Sequence, residues 1–158
     1  IQVSKSAVLR DILNIIKKYN VDQNRLVIEL TESGFIESDR FFVSFCNRLK
    51  ENGILLALDD FGTGYSNFHY LYNLKPDCIK VDRGLMKNAL ANQYENMLLK
   101  HMIDMAHSVG VKMCIEGIET QEELDKILEM GCDYIQGYYF SKPLPFNEIE
   151  EYLKKKRK

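Results

Sequence analysis

Long hydrophobic runs, a strong net charge and closely paired cysteines are all missing from this 158-residue sequence. No apolar run approaches the ~20 residues that a membrane-spanning helix needs, and no signal peptide is recognisable. The formal net charge is −2, so no overall basic field favours a nucleic-acid polymer as partner. The four cysteines are widely spaced without a Cys-x-x-Cys pair, which favours reduced thiols in a cytoplasmic setting over disulfides or a zinc site.

The composition is that of an ordinary globular domain. Hydrophobic residues make up 46% of the chain and charged residues 28%. The length suits one domain but is short for a closed (β/α)8 barrel, which typically takes ~250 residues. Because the sequence starts at Ile1, apparently inside a strand, we expect a piece of a longer protein.

Short apolar segments alternate with amphipathic segments about six times along the chain. The pattern predicts strands near 1–4, 26–32, 54–58, 78–82, 111–115 and 134–135, with helices between them and after the last. These strands are apolar on both faces, which is typical of a parallel sheet covered by helices. The predicted class is therefore α/β, in one domain over residues 1–158.

Charged residues collect where the predicted strands end. Most prominent are Asp59 and Asp60, which follow an apolar run and precede a loop with two glycines. Acidic helix caps are the simplest alternative explanation for one such aspartate. In parallel α/β folds, however, the carboxyl ends of the strands form the active-site edge. That edge would collect Glu29, Glu32, Asp59, Asp60, Lys80, Asp82, Glu116, Glu119 and Gln136.

Converging carboxylates favour Mg²⁺ or Mn²⁺ over zinc, which prefers histidine and cysteine. The three histidines are predicted on helices away from this edge. Asp59 and Asp60 suit two metal ions ~3.5–4 Å apart, an arrangement used for displacement at phosphorus. Among so many carboxylates Lys80 should stay protonated, although a structural ion pair with Asp82 is an alternative interpretation.

Several motifs in this order resemble the EAL domain family, the bacterial cyclic di-GMP phosphodiesterases. They are Glu29-Leu30-Thr31-Glu32-Ser33, Asp59-Asp60-Phe61-Gly62-Thr63-Gly64-Tyr65-Ser66, Lys80-Val81-Asp82-Arg83, Glu116-Gly117-Ile118-Glu119-Thr120 and Gln136-Gly137-Tyr138 with Phe140-Ser141-Lys142-Pro143. The resemblance runs from about Leu26 to Pro145 and implies a (β/α)8 TIM-like barrel. It also implies hydrolysis of cyclic di-GMP to linear pGpG with Mg²⁺ or Mn²⁺.

The resemblance further implies roles for individual residues. Glu29, Asp59 and Asp60 would be metal ligands, and Lys80 would hold the catalytic water. Glu116 would be the general base or a metal-linked carboxylate, with Gln136 near that water. Glu32 would hold the loop 61–67 in place and couple it to the dimer interface. Glu119 and Asp82 would have supporting roles. Substrate contacts are expected at Phe61, Gly62 and Pro143. The resemblance also implies a homodimer. It further implies attached GGDEF or sensor domains in a larger protein, which in some cases is membrane-anchored.

Three positions depart from the family pattern. The Glu-Ala-Leu motif, with a metal ligand and a substrate-contacting arginine, is absent, and Ile115 stands where a small residue is usual. The family's metal-binding asparagine would align with Gln2, but the segment from there to Glu29 is several residues short, so the asparagine is either replaced or lost upstream. We therefore expect the C-terminal portion of the domain, an incomplete barrel of about six βα units that is inactive alone. The alternatives are a non-catalytic cyclic di-GMP receptor or interaction module and, more remotely, a barrel lyase or isomerase with Lys80 as base.

Overall fold

The computed structural model describes residues 5–31, 40–62 and 68–156, with residues 5–6, 68–70 and 156 described by their backbone alone. The strands are β1 (Val27–Thr31), β2 (Leu55–Phe61), β3 (Cys78–Val81), β4 (Lys112–Ile115) and β5 (Tyr134–Ile135). The helices are α1 (Lys5–Tyr19), α2 (Arg40–Glu51), α3 (Phe68–Leu74), α4 (Arg83–Ala91), α5 (Gln93–Ser108), α6 (Gln121–Glu129) and α7 (Phe146–Lys156).

The described strands form one parallel sheet in the order β1-β2-β3-β4-β5. Spatial order therefore follows chain order, as in a (β/α) barrel, whereas the strand order of a doubly wound sheet reverses at a switch point. The predicted α/β class is confirmed, and five strands amount to an incomplete TIM-like barrel. The strand predicted over 1–4 lies outside the described residues.

Side chains alternate along each strand, which places hydrophobic core residues on one face of the sheet and the predicted site residues on the other. In β3, Ile79 and Val81 are at most 1% exposed and pack in a core cluster with helix residues such as Leu99 and Ile103. A second cluster joins β1 and β2 to α1 and α2. Because successive side chains in a strand point to opposite faces, Lys80 lies on the other face. We call that face, which also carries Glu29 and Asp59, the inner face of the sheet.

Helix capping explains two of the element boundaries. Thr120 and Glu123 form a capping box at the start of α6. Asp82 caps α4, whose buried Met86 and Ala89 lie three residues apart on one side. The sequence pattern between β3 and β4 predicts one helix, over about 93–109, and does not predict α4, although Asp82 was the available capping signal.

Two expectations from composition agree with the structure. All four cysteines are free. No helix in the described part of the chain has the length and apolar character needed to span a membrane.

Candidate active site

A β-bulge brings the two adjacent aspartates to one side of β2. Leu58 pairs with Ile79 and Phe61 pairs with Val81, so two residues, Asp59 and Asp60, stand opposite Lys80. Asp60 has φ 55°, a left-handed conformation that breaks the normal alternation. The predicted end of this strand at Leu58 was wrong, because the bulge lets β2 continue to Phe61.

Three carboxylates meet at this bulge. Ligand oxygens of Asp59, Asp60 and Glu116 all lie within 4.8 Å of one another, close enough to hold a metal ion. The side chains of Asp59 and Glu116 are 18% and 19% exposed. Glu116 follows β4 directly, and its N–H donates to the Val81 carbonyl oxygen at 3.1 Å. The structure therefore brings together the carboxyl ends of β2 and β4 around β3.

Lys80 is buried at the centre of this acidic group, with 8% of its surface exposed. Its Nζ lies 2.8 Å from Glu29 Oε1, 3.0 Å from Asp59 Oδ1 and 2.8 Å from Glu116 Oε1. Burial lowers the pKa of Lys80, but the hydrogen bonds to Glu116, Glu29 and Asp59 outweigh it and leave the pKa above its usual range. Lys80 is therefore protonated at neutral pH, as the sequence predicted.

The donor set fits a hard divalent cation. Three carboxylates contact the Lys80 ammonium and a fourth, that of Asp60, lies beside two of them, which leaves negative charge that these residues do not balance. Asp59 Oδ1 is buried and lies 3.0 Å from Lys80 Nζ, without a further hydrogen-bond partner among the described residues. Oxygen ligands of this kind are typical of Mg²⁺, Mn²⁺ or Ca²⁺ sites.

The described histidine side chains are engaged elsewhere, which agrees with the prediction. On α5, the His101 Nδ1 contacts the Met97 carbonyl oxygen at 2.6 Å, and His107 Nε2 lies 2.7 Å from Asp133 Oδ2. His69 lies on α3, and its side chain is outside the described residues. The described part of the chain thus supplies no imidazole to the acidic group.

A cavity of about 440 Å³ opens beside Glu116. The predicted site residues that line it are Asp82, Glu116, Glu119, Gln136 and Pro143. The backbone of Gln136 is fixed at both ends, since its N–H donates to the Ile115 carbonyl oxygen and its own carbonyl oxygen accepts from Ile118 N–H. Asp82 Oδ1 accepts from Gly84 N–H at 2.6 Å and so caps α4.

Other predicted residues lie further from the three clustered carboxylates. Glu29 contacts Lys80 but is outside the group within 4.8 Å, and its side chain is 49% exposed. Phe61 is 6% exposed in the hydrophobic core, whereas Gly62 is exposed at φ 98°. Their predicted roles in metal or substrate binding stay predictions. Glu32 and the loop residues 63–67 are outside the described residues.

Sequence reasoning assigned no role to Arg83, which the structure places at the cavity. Its guanidinium forms an ion pair with Glu119. Its stem lies against Gly117, the residue after Glu116. The only signal in the sequence was its position directly after Asp82, at the end of the β3 motif.

The model of the EAL domain family matches residues 1–143. This chain belongs to the EAL domain family. Among curated relatives, it is 38% identical over 129 residues to the cyclic di-GMP phosphodiesterase NbdA of Pseudomonas aeruginosa, covering 82% of this chain and 16% of that protein. The chain spans less than half the length of such curated relatives.

Solved structures agree with this membership. The EAL domain of Mycobacterium smegmatis DcpA superposes with a TM-score of 0.89 at 28% identity, over 98% of this chain and 69% of that one. The complex of Klebsiella pneumoniae BlrP1 with calcium and cyclic di-GMP gives a TM-score of 0.79 at 28% identity, over 85% of this chain and 34% of that one. The fold is therefore common to these proteins and this chain.

Proposed function

We propose that this EAL chain forms part of a metal-dependent phosphodiesterase that hydrolyses cyclic di-GMP to linear pGpG. The observation that carries the proposal is the meeting of Asp59, Asp60 and Glu116 beside the buried, protonated Lys80. Activity of the named relative and the bound nucleotide of the solved complex support the choice of substrate. Retention of every one of these charged residues favours an enzyme over a receptor that has lost its catalytic groups.

Two Mg²⁺ or Mn²⁺ ions are the proposed cofactors, with Asp59, Asp60 and Glu116 as the residues that would hold them and Glu29 as a further ligand. When bound, such ions make water a better nucleophile and stabilise negative charge on the phosphate and on the leaving oxygen. The BlrP1 complex with cyclic di-GMP contains calcium, which supports a divalent cation as cofactor.

The chain's own residues have complementary tasks in this proposal. The Lys80 ammonium donates hydrogen bonds, so it would orient the attacking water and offset charge on a non-bridging phosphate oxygen. The Glu116 carboxylate would accept a proton from that water, and the Gln136 side chain would help to hold it. The water oxygen bonds to one phosphorus as the bond from that phosphorus to a 3′ oxygen breaks, and the 3′ oxygen takes up a proton to become a hydroxyl, which opens the ring.

Open sheet edges lead us to propose that further strands are needed for activity. Within the described chain, β1 pairs only with β2 and β5 only with β4. Val27 and Tyr134 on the inner face are 48% and 55% exposed. We therefore propose that residues 1–158 alone bind metal weakly and are inactive.

The proposal also includes a homodimer, attached GGDEF or sensor domains and a cytoplasmic location.

The test is product analysis with the full-length protein. Cyclic di-GMP is incubated with the protein and Mg²⁺ or Mn²⁺, with EDTA as the metal-free control, and the products are separated by chromatography. Linear pGpG that forms only with metal would support the proposal. Tight binding of cyclic di-GMP without turnover would overturn it in favour of a receptor, and rapid turnover by residues 1–158 alone would overturn the need for further strands.

A further inference from the structure

We propose that Arg83 is a positioning residue that fixes the Glu116 carboxylate at the candidate metal centre. This inference rests on the proposed function, because it assigns a task to Arg83 within the same site. Arg83 is the first residue of α4 and lies three residues after Lys80. It therefore connects the strand that carries Lys80 to the loop that carries Glu116.

The first contact is between the Arg83 stem and the backbone next to Glu116. A Cβ built on Gly117 would lie 2.5 Å from Arg83 Cβ, 2.5 Å from Cγ and 2.8 Å from Cδ. The stem thus lies directly over Gly117, leaving no space for a side chain there. Gly117 has φ 76°, a conformation that glycine adopts at low cost. Arg83 therefore holds in place the peptide unit from which Glu116 projects.

The second contact is at the other end of the same loop. The Arg83 guanidinium pairs with the Glu119 carboxylate, while Glu119 N–H donates to Glu123 Oε2 at 2.7 Å. The loop 116–119 is thus held by Arg83 at both Gly117 and Glu119. Removal of the arginine would free Gly117 to sample other backbone conformations, and Glu116 would move with it.

The backbone at Arg83 is held in place by the cap of α4. Asp82 Oδ1 accepts from Gly84 N–H at 2.6 Å, which holds the first turn of α4 against the end of β3. Arg83 Nε is buried without a hydrogen-bond partner among the described residues. The packing of the stem and the Glu119 pair therefore account for the placement of this side chain. Replacing a residue that orients a metal ligand in this way commonly weakens metal affinity about 10–100-fold.

The variants separate the stem from the charge. R83M keeps a stem over Gly117 and removes the charge, R83A also removes the stem beyond Cβ, and E119Q removes the charge of the guanidinium's partner without changing any atom at Gly117. K126A is the matched control, because it removes a lysine from an exposed pair with Glu122 on α6. Thermal unfolding first shows which variants are folded.

The measurement is Mn²⁺ binding to the full-length protein without cyclic di-GMP, followed by steady-state turnover. We expect R83A to weaken Mn²⁺ binding about tenfold, R83M and E119Q to weaken it less, and K126A to leave it unchanged. The kcat should fall in the same order with little change in KM, because a misplaced Glu116 acts on chemistry more than on substrate binding.

Two results would overturn the inference. One is wild-type Mn²⁺ affinity in both R83M and E119Q. This test remains valid even if R83A does not fold. The other is a rise in KM for R83A with unchanged Mn²⁺ affinity, which would make Arg83 a substrate contact. If the wild type binds Mn²⁺ more tightly than R83A but does not hydrolyse cyclic di-GMP, the positioning role stands and the proposed function fails.

Discussion

The Lys80 ammonium and the Glu116 carboxylate lie 2.8 Å apart, although Lys80 is in β3 and Glu116 follows β4. Glu29 and Asp59 complete the shell of Lys80 from two further positions on the inner face. One lysine therefore holds together carboxylates that would otherwise repel one another. Two of these carboxylates, Asp59 and Glu116, also belong to the candidate metal centre with Asp60, so charge balance in the site depends on both the lysine and any bound cation.

Replacing Lys80 with methionine should remove the positive charge and keep most of the buried volume. The remaining carboxylates would lose their internal cation, so we expect the free energy of unfolding without metal to fall by about 2 kcal/mol. Turnover of cyclic di-GMP should fall at least about 100-fold. Urea unfolding with and without Mg²⁺ checks the first point. Equal stability of wild type and K80M in EDTA would contradict the charge-balance argument, and K126A provides the exposed-lysine control.

Replacing Asp60 with asparagine should separate metal binding from folding. Asn adopts positive φ more readily than most residues, so D60N should fold like the wild type at φ 55° yet bind Mn²⁺ at least about tenfold more weakly. D60A should lose the ligand and about 1 kcal/mol of stability through backbone strain. N20A, at φ 51° far from the site, is a matched control for strain alone. Wild-type Mn²⁺ affinity in both D60N and D60A would exclude Asp60 as a ligand.

Gly137 is predicted to be required for packing beside the cavity. A Cβ at this position would overlap the Ile118 carbonyl oxygen, which accepts from Tyr139 N–H. We expect G137A to lower the free energy of unfolding by about 3 kcal/mol. G131A is the control, because Gly131 has φ 76° and nothing within 4 Å of its Cβ position, so only a conformational cost of about 1 kcal/mol applies. Equal stability of the two variants would show that the backbones near Gly137 separate easily.

Asp133 should make the free energy of unfolding depend on pH. Burial raises the pKa of Asp133, but hydrogen bonds from Lys112, the Met113 N–H and His107 lower it to about 2, against an ordinary 3.8. A lowered pKa in the folded state stabilises the protein above the unfolded pKa, and that contribution is lost as pH falls from about 4 towards 2. We expect it to be about 1 kcal/mol after solvent screening.

The check for Asp133 is urea unfolding of wild type and D133N between pH 5 and pH 2. The difference in unfolding free energy should be constant above about pH 4 and shrink below it. A difference that stays the same down to pH 2 would show that Asp133 is not an ionised partner of Lys112 and His107 in the folded state.

The apolar strand segments and capping residues predicted the α/β class and most element positions, because burial and capping leave local patterns. The bulge at Asp59 and Asp60 has no such pattern, since it exists only in the pairing of β2 with β3. Helix α4 was missed because its buried stripe is short. The role proposed for Arg83 depends on the packing of its stem against Gly117, a contact between segments about thirty residues apart that periodicity does not indicate.

The most direct test of the account is turnover of cyclic di-GMP by full-length wild type and by its E116Q variant in Mg²⁺, with nucleotide affinity measured in parallel. Glu116 lies in hydrogen-bond contact with Lys80 and in the carboxylate group with Asp59 and Asp60. Loss of the base should reduce turnover at least about 100-fold while affinity for cyclic di-GMP changes little. Turnover by E116Q at the wild-type rate would contradict the assignment of this site as the catalytic centre.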